Sequence, residues 1–345
     1  MIPIQNIYYM LSYAFQVLNE QGYKNIATEQ FNNTGELMAA ILEKGIAIQL
    51  KRGLGKEYIP QTEALSSLRG KIDIAESIKT QSMLRKQLIC TYDEFSVNSI
   101  MNRIIKSTVE LLLRSNISKQ RKKNLRKLMV YFSEVDFIDS YTVNWNVQYN
   151  RNNQTYRMLI SICYLVVKGL LQTQSNGHTK LMDFLDEQRM CRLYEKFILE
   201  YYRKEFKNQI TANASQIPWQ LDNEENSMLP VMQSDIMLQS GEKVLIIDAK
   251  YYEHSTQVQF DKHTLHSGNL YQIFTYVKNK EYELREKDHT VSGMLLYAKT
   301  DEEIYPNNVY QMSGNQIAVR TLDLNLPFDE IASQLNTIAK THFDL

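Results

Sequence analysis

The stretch SDIMLQSGEKVLIIDAKYY (residues 234–252) constrains the fold of this chain more than any other. Apolar runs on either side of Ser-Gly-Glu-Lys are rich in strand-forming residues and alternate with period two. Gly241 occupies the first central position of a two-residue turn, as a type II′ β-hairpin requires. That turn pairs Ser240 with Lys243, and a four-residue Ser-Gly-Glu-Lys loop keeps the same register, whereas an odd-length loop would slip it. Counting outward, Asp235 falls directly opposite Asp248, with Cβ atoms about 5 Å apart. Asp248 and Lys250 share a face with Ile246, while Leu245, Ile247 and Ala249 take the other.

Two opposed carboxylates destabilise a strand pair unless positive charge sits between them. A hard divalent cation is the natural candidate, because Mg²⁺ takes oxygen ligands, is held by one or two carboxylates and keeps several waters. Such an ion can ionise a bound water and brace a phosphoryl oxygen. Lys250 is placed to orient that water or to offset charge on the phosphate. The competing reading is a plain hairpin in which Asp235 is solvated and Asp248 is paired with Lys250. The register favours the first: a metal-dependent phosphodiesterase with Asp235 and Asp248 as metal ligands.

The remainder of the chain sets the frame. Its 345 residues suffice for two domains. Lys plus Arg and Asp plus Glu number 39 each, so net charge neither indicates nor excludes a nucleic-acid partner. Cys90, Cys163 and Cys191 are far apart and odd in number, which argues against a zinc site or a disulfide framework and fits a reducing cytoplasm. The N-terminus has no signal-peptide pattern, and the apolar run 161–171 is too short for a span and interrupted by Lys168, so a soluble protein with no membrane contact is expected. There is no GxxxxGK[ST] loop, since RGLGKEY (52–58) lacks both the spacing and the hydroxyl residue, so no unaided nucleotide hydrolysis is expected.

Helical periodicity predicts helices over 6–18, with Asn6 as N-cap, and over 33–50, 98–115, 119–132, 155–173, 183–207 and 268–280. Residues 52–74 read as strands and turns, and 293–299 and 316–324 as strands. The polar stretch 172–180 is the best boundary. The expected fold is α/β: a mixed α+β domain over 1–175, then a domain over 176–345 with a central mixed sheet flanked by helices.

The spacing D-x(12)-D-x-K resembles the PD-(D/E)xK nuclease motif, with Ser234 where proline often stands. Downstream, Gln272 and Tyr276 form a QxxxY pair similar to that of the RecB-like branch, where a helix after the hairpin supports the site. The segments IPIQNIYYMLSYAF (2–15), RGL (52–54), LRGKID (68–73), NRIIKST (102–108), IIDAKYY (246–252) and HSGNLYQ (266–272) together resemble McrC, the nuclease subunit of McrBC-type restriction systems for modified cytosine. The match runs in order through most of the chain. It implies a PD-(D/E)xK restriction-endonuclease-like second domain and a partner-docking first domain. It implies Mg²⁺ as cofactor, double-stranded DNA with methylated cytosine as substrate, and an AAA+ GTPase ring of McrB type as partner, which binds the GTP and whose hydrolysis the chain stimulates. By position, Asp235, Asp248 and Lys250 match the catalytic triad of the motif. An acid on the preceding helix often completes such sites, and Glu195 is the candidate, with Glu187 and Glu200 as alternatives. Two other functions remain open: a non-catalytic assembly subunit with a vestigial nuclease fold, and a stand-alone RecB-like repair nuclease.

Four further features carry competing readings. The basic run 119–127 fits DNA phosphates, an acidic partner, or the solvated face of a helix. The tyrosines of NIYYMLSYAF fit an interface anchor or a packed first helix. Arg103 and Lys106 fit action in trans on a partner's nucleotide. His254, His263 and His266 follow the hairpin, and a capping or hydrogen-bonding role suits His266.

Overall fold

Polar side chains cap several of the helices where apolar periodicity begins. The computed structural model describes residues 2–15, 18, 23, 26, 29, 31, 33–151, 153–175, 187–222, 228–252, 257–259, 262–299 and 305–345. The chain divides into two compact units. One is Gln21–Phe184; the other joins Met1–Glu20 to Leu185–Leu345. The first helix, α1 (Ile4–Ala14), thus belongs to the same unit as the hairpin.

In the unit Gln21–Phe184, α2 (Thr34–Arg52) is followed by β1 (Glu57–Leu65), β2 (Lys71–Asp73), α3 (Ile74–Lys79), β3 (Leu88–Ser96), α4 (Ile100–Arg114), α5 (Lys119–Met129) and α6 (Tyr156–Ser175). The side chains of Asn33, Ser99 and Ser118 accept from backbone N–H groups three residues on and so cap α2, α4 and α5. The strands form an antiparallel sheet in the order β1-β3-β2.

Buried Asn102 ties this unit together. Its amide donates to the carbonyls of Gly55 and Val97, and its Oδ1 accepts from Tyr156 Oη, which in turn accepts from Gly55 N–H. The RGLGKEY segment is therefore a loop locked by side chains. Lys106 donates to the carbonyls of Phe132 and Val135, and Arg103 to that of Phe137, so both act here on backbone of their own unit. In the basic run, Arg121 turns inward to pair with Glu29, Glu36 and Glu43, while Lys119, Lys123, Arg126 and Lys127 are exposed.

In the other unit, α7 (Glu187–Glu205) leads to β4 (Thr211–Asn213), β5 (Gln216–Ile217), β6 (Met232–Gln233), β7 (Ile236–Ser240) and β8 (Lys243–Lys250). There follow β9 (Gln257–Gln259), β10 (Lys262–Thr264), α8 (Ser267–Glu283), β11 (Thr290–Ala298), β12 (Asn308–Met312), β13 (Asn315–Leu322) and α9 (Phe328–Phe343). A six-stranded mixed sheet has the order β12-β13-β11-β8-β7-β4, with β8, β11 and β13 parallel and the other pairs antiparallel. The expected mixed sheet with flanking helices is present. Helix α8 lays Ile273 and Val277 on Val244, Ile246, Leu295, Ile317 and Val319. It comes so close to β11 that a Cβ on Gly293 would stand 2.8 Å from Ile273 Cγ1 and 2.8 Å from Val277 Cγ2.

Two expectations are corrected at the N-terminus. Helix α1 packs on α7, with Tyr13 against Phe197, Tyr201 and Phe328 and its hydroxyl donating to Glu205, so it is not part of the unit that runs to residue 184. Asn6 is not the N-cap: Pro3 holds that place, and the buried Asn6 amide instead donates to the carbonyls of Leu324 and Leu326. The 172–180 boundary coincides in part with residues outside those described.

Because α8 sits directly on Gly293, we expect Gly293→Ala to cost about 1–3 kcal/mol. Thermal unfolding would show this as a lowered Tm, and an unchanged Tm would mean that α8 can shift outward without loss.

Candidate active site

The hairpin register is the one that the turn dictates. Ser240 pairs with Lys243 and Ile236 with Ile247, so Asp235, one residue before β7, stands across from Asp248. Gly241 has φ 56, and Glu242 is not among the residues with positive φ, which is the type II′ pattern. Ser234 fixes the approach to Asp235. It is buried, its N–H donates to Ser215 O at 3.0 Å, and its hydroxyl accepts from Ser215 N–H.

Asp235 Oδ2 accepts from the backbone N–H of Ala249 at 3.0 Å. Asp248 is 1% exposed and its Oδ2 lies 2.9 Å from Lys250 Nζ. The contact is an ion pair without hydrogen-bond alignment, so both buried oxygens of Asp248 lack a hydrogen-bond partner. Lys250 Nζ donates to Gln272 Oε1 at 3.3 Å, and Gln272 Nε2 donates to Tyr276 Oη at 3.0 Å. The QxxxY pair of α8 therefore reaches the lysine through one amide.

Of the candidate acids on α7 whose side chains are described, Glu195 is the one that Asp235 and Lys250 act on electrostatically. Its Oε1 accepts from Cys191 Sγ at 3.0 Å. Glu200 is turned to Arg203 at 2.7 Å, and the side chain of Glu187 lies outside the described residues. Sequence reasoning placed Ser234 in the motif but missed Cys191 as a neighbour of the site, because a lone cysteine carries no signal on its own.

Burial, reinforced by Asp235, raises the pKa of Asp248. Burial also raises Asp235, partly offset by Lys250, and raises Glu195, reinforced by Asp235. Burial alone would lower Lys250, but the Asp248 carboxylate outweighs it and holds the ammonium charged. Three carboxyl groups thus face one ammonium, an excess of two negative charges when all are ionised. Among the described residues no group of three or more His, Cys, Asp and Glu is arranged to cage a metal. The buried oxygens of Asp248, which have no aligned hydrogen bond and one ammonium beside them, and the excess negative charge nonetheless fit a hard divalent cation held by two carboxylates and water.

His266 is at the N-cap of α8 but its side chain makes no capping bond; its ring packs 5.3 Å from that of Tyr252. His254 and the side chain of His263 lie outside the described residues.

The fold and these residues define an α/β protein with a charged acid–lysine cluster at the end of a hairpin. The family described as McrBC 5-methylcytosine restriction system component matches residues 5–298. A protein of Escherichia coli strain K12, "Type IV methyl-directed restriction enzyme EcoKMcrBC", is 30% identical over 342 residues, 97% of this chain and 96% of its own length. Among solved structures, the half-complex of Thermococcus gammatolerans McrB AAA+ hexamers with bound McrC has a TM-score of 0.47 at 18% identity, covering 97% of this chain and 76% of that one. The cryo-EM structure of the Thermococcus gammatolerans McrBC complex has a TM-score of 0.42 at 20% identity, covering 59% of each chain. The chain belongs to the family of McrBC restriction-system components, as a member of McrC type.

The raised pKa of Asp248 has a signed consequence. The group ionises near pH 4 in the unfolded chain and only at higher pH when folded. Its contribution to stability is full below about pH 4 and is lost as pH rises through the folded value. With chelator present, the Tm of Asp248→Asn relative to wild type should therefore rise by about 4 °C or more between pH 5 and pH 8. A difference independent of pH would show that the carboxylate is not held at a raised pKa.

Proposed function

We propose that this chain is the DNA-cleaving subunit of a GTP-dependent restriction system. It hydrolyses phosphodiester bonds in double-stranded DNA bearing methylated cytosine and works with an AAA+ GTPase ring of McrB type, whose turnover it stimulates. The observation that carries this reading is the register-fixed pair Asp235 and Asp248 beside Lys250, with Gln272 and Tyr276 behind the lysine. The D-x(12)-D-x-K spacing on adjacent strands supports assignment to the PD-(D/E)xK nucleases.

In this reading Asp235 and Asp248 hold Mg²⁺, which when bound supplies an ionised water and neutralises charge on a phosphoryl oxygen. Lys250, kept charged by Asp248, donates toward the attacking oxygen or toward a non-bridging oxygen of the phosphate. Gln272 Oε1 accepts a hydrogen bond from it and fixes its direction. Glu195, whose pKa burial and Asp235 push up, serves as a nearby group able to hold a proton. The GTP belongs to the ring. Docking on the ring is assigned to the unit Gln21–Phe184, where Tyr58 and Phe95 pair across β1 and β3 while 72% and 55% exposed and Leu84 is 82% exposed.

The test combines the chain with its GTPase partner, GTP, Mg²⁺ and plasmid DNA with or without 5-methylcytosine, with GTP hydrolysis read in the same tubes. Wild type should cut methylated DNA. Asp248→Ala and Lys250→Ala should lose about 10³-fold or more in cleavage rate while stimulating GTP hydrolysis equally well. Glu195→Gln should fall far below Glu200→Gln. Stimulation of GTP hydrolysis without any cleavage by wild type would leave an assembly subunit and sink the nuclease assignment.

A further inference from the structure

Helix α8 has to be aimed before Gln272 can meet Lys250, and its first turn is where that aim is set. Asn269, 8% exposed, is the third residue of α8 and lies one helical turn before Gln272, on the same side of the helix. Its Nδ2 donates to Tyr297 Oη at 2.9 Å. Its Oδ1 accepts from Tyr252 Oη at 3.3 Å. Tyr297 is fully buried near the end of β11, where it is the register partner of Lys250 on β8. Tyr252 follows Lys250 by two residues. One amide thus joins the helix to the segment just after the lysine's own strand, β8, and to the end of the neighbouring strand, β11. A carboxamide suits this pair of hydroxyls, because it offers a donor to one and an acceptor to the other.

We propose that Asn269 is a positioning residue for Lys250. It pins the first turn of α8 to Tyr252 and Tyr297, and so holds Gln272 Oε1 where the lysine donates to it. The proposal rests on the reading of Lys250 as part of a phosphodiester-hydrolysing site, but its mechanical content does not. Two links make the chain: tyrosine hydroxyls to Asn269, and Gln272 to Lys250, each seen as hydrogen bonds. The Tyr252 ring sits 6.2 Å from that of Tyr297, so both hydroxyls converge on the amide from adjoining side chains.

Two measurements on the full chain test this. The first is competitive reductive methylation of lysines, read by mass spectrometry, with Lys243 as internal reference and no DNA, metal or partner. Asn269→Leu should raise the labelling rate of Lys250 several-fold, Gln272→Ala should do the same, and the double variant should go no further. Tyr297→Phe, which keeps the core ring and removes one hydroxyl, should give a smaller rise and serves if Asn269→Leu does not fold. Unchanged labelling of Lys250 in the folded Asn269 or Tyr297 variant overturns the proposal, whatever the cleavage assay shows. The second is cleavage with the GTPase partner: Asn269→Leu should lower kcat about 10-fold with KM for DNA unchanged, and should add nothing in the Gln272→Ala background. Multiplying effects, or a loss confined to KM, would overturn the positioning role. If labelling behaves as expected and wild type does not cut DNA, the positioning stands and the nuclease reading falls.

Discussion

A two-residue turn fixes where the charges of this protein can go. With Gly241 at positive φ, the hairpin can close only with Ser240 opposite Lys243, and every pair outward to Asp235 and Asp248 follows. At a separation of about 5 Å and an effective dielectric of about 20, two carboxylates repel by about 3 kcal/mol. The fold tolerates this through Lys250 at 2.9 Å from Asp248, through the Ala249 N–H given to Asp235, and through protonation favoured by burial. Each device reduces the conflict without removing it, the pattern that marks a candidate functional site.

The neighbouring elements can be understood as supports for that hairpin. Parallel pairing with β11 sets Tyr297 beside Lys250, and the missing side chain of Gly293 lets α8 lie flat on β11. Helix α8 then delivers Gln272 to the lysine and Asn269 to the two tyrosines. From α7, Tyr194 packs edge-on at 6.3 Å from Tyr251 and Glu195 approaches the acids. The unit Gln21–Phe184 has its own organising polar group, Asn102, and its own ionic knot at Arg121.

Much of the site was legible because strand geometry is so restrictive. A period of two and a turn glycine are enough to place Asp235, Asp248 and Lys250, and a period of 3.6 is enough to put Gln272 and Tyr276 on one face. What the sequence could not show were contacts that depend on tertiary closeness. Asn6 has the identity of a cap, yet it serves carbonyls more than 300 positions away. The tyrosines of α1 could anchor a partner or a core, and the packing of Tyr13 on Phe197 and Phe328 makes them core. Arg103 and Lys106 have the look of residues acting on a partner, but their donors are turned to backbone carbonyls at 132–137. Arg121 sits in a run that reads as a basic surface and is drawn inward by three glutamates scattered over earlier sequence. The sequence names Glu195 ahead of Glu187 and Glu200, but it could not show the ion pair between Glu200 and Arg203, which helical spacing permits but does not require.

The central claim is that Asp235 and Asp248 form one cation-holding pair. Titration of the chain with Mn²⁺, followed by electron paramagnetic resonance in the absence of DNA and partner, tests it directly. The account predicts a site that is lost in both Asp235→Asn and Asp248→Asn and retained in Glu200→Gln. Binding that survives both aspartate substitutions would contradict it.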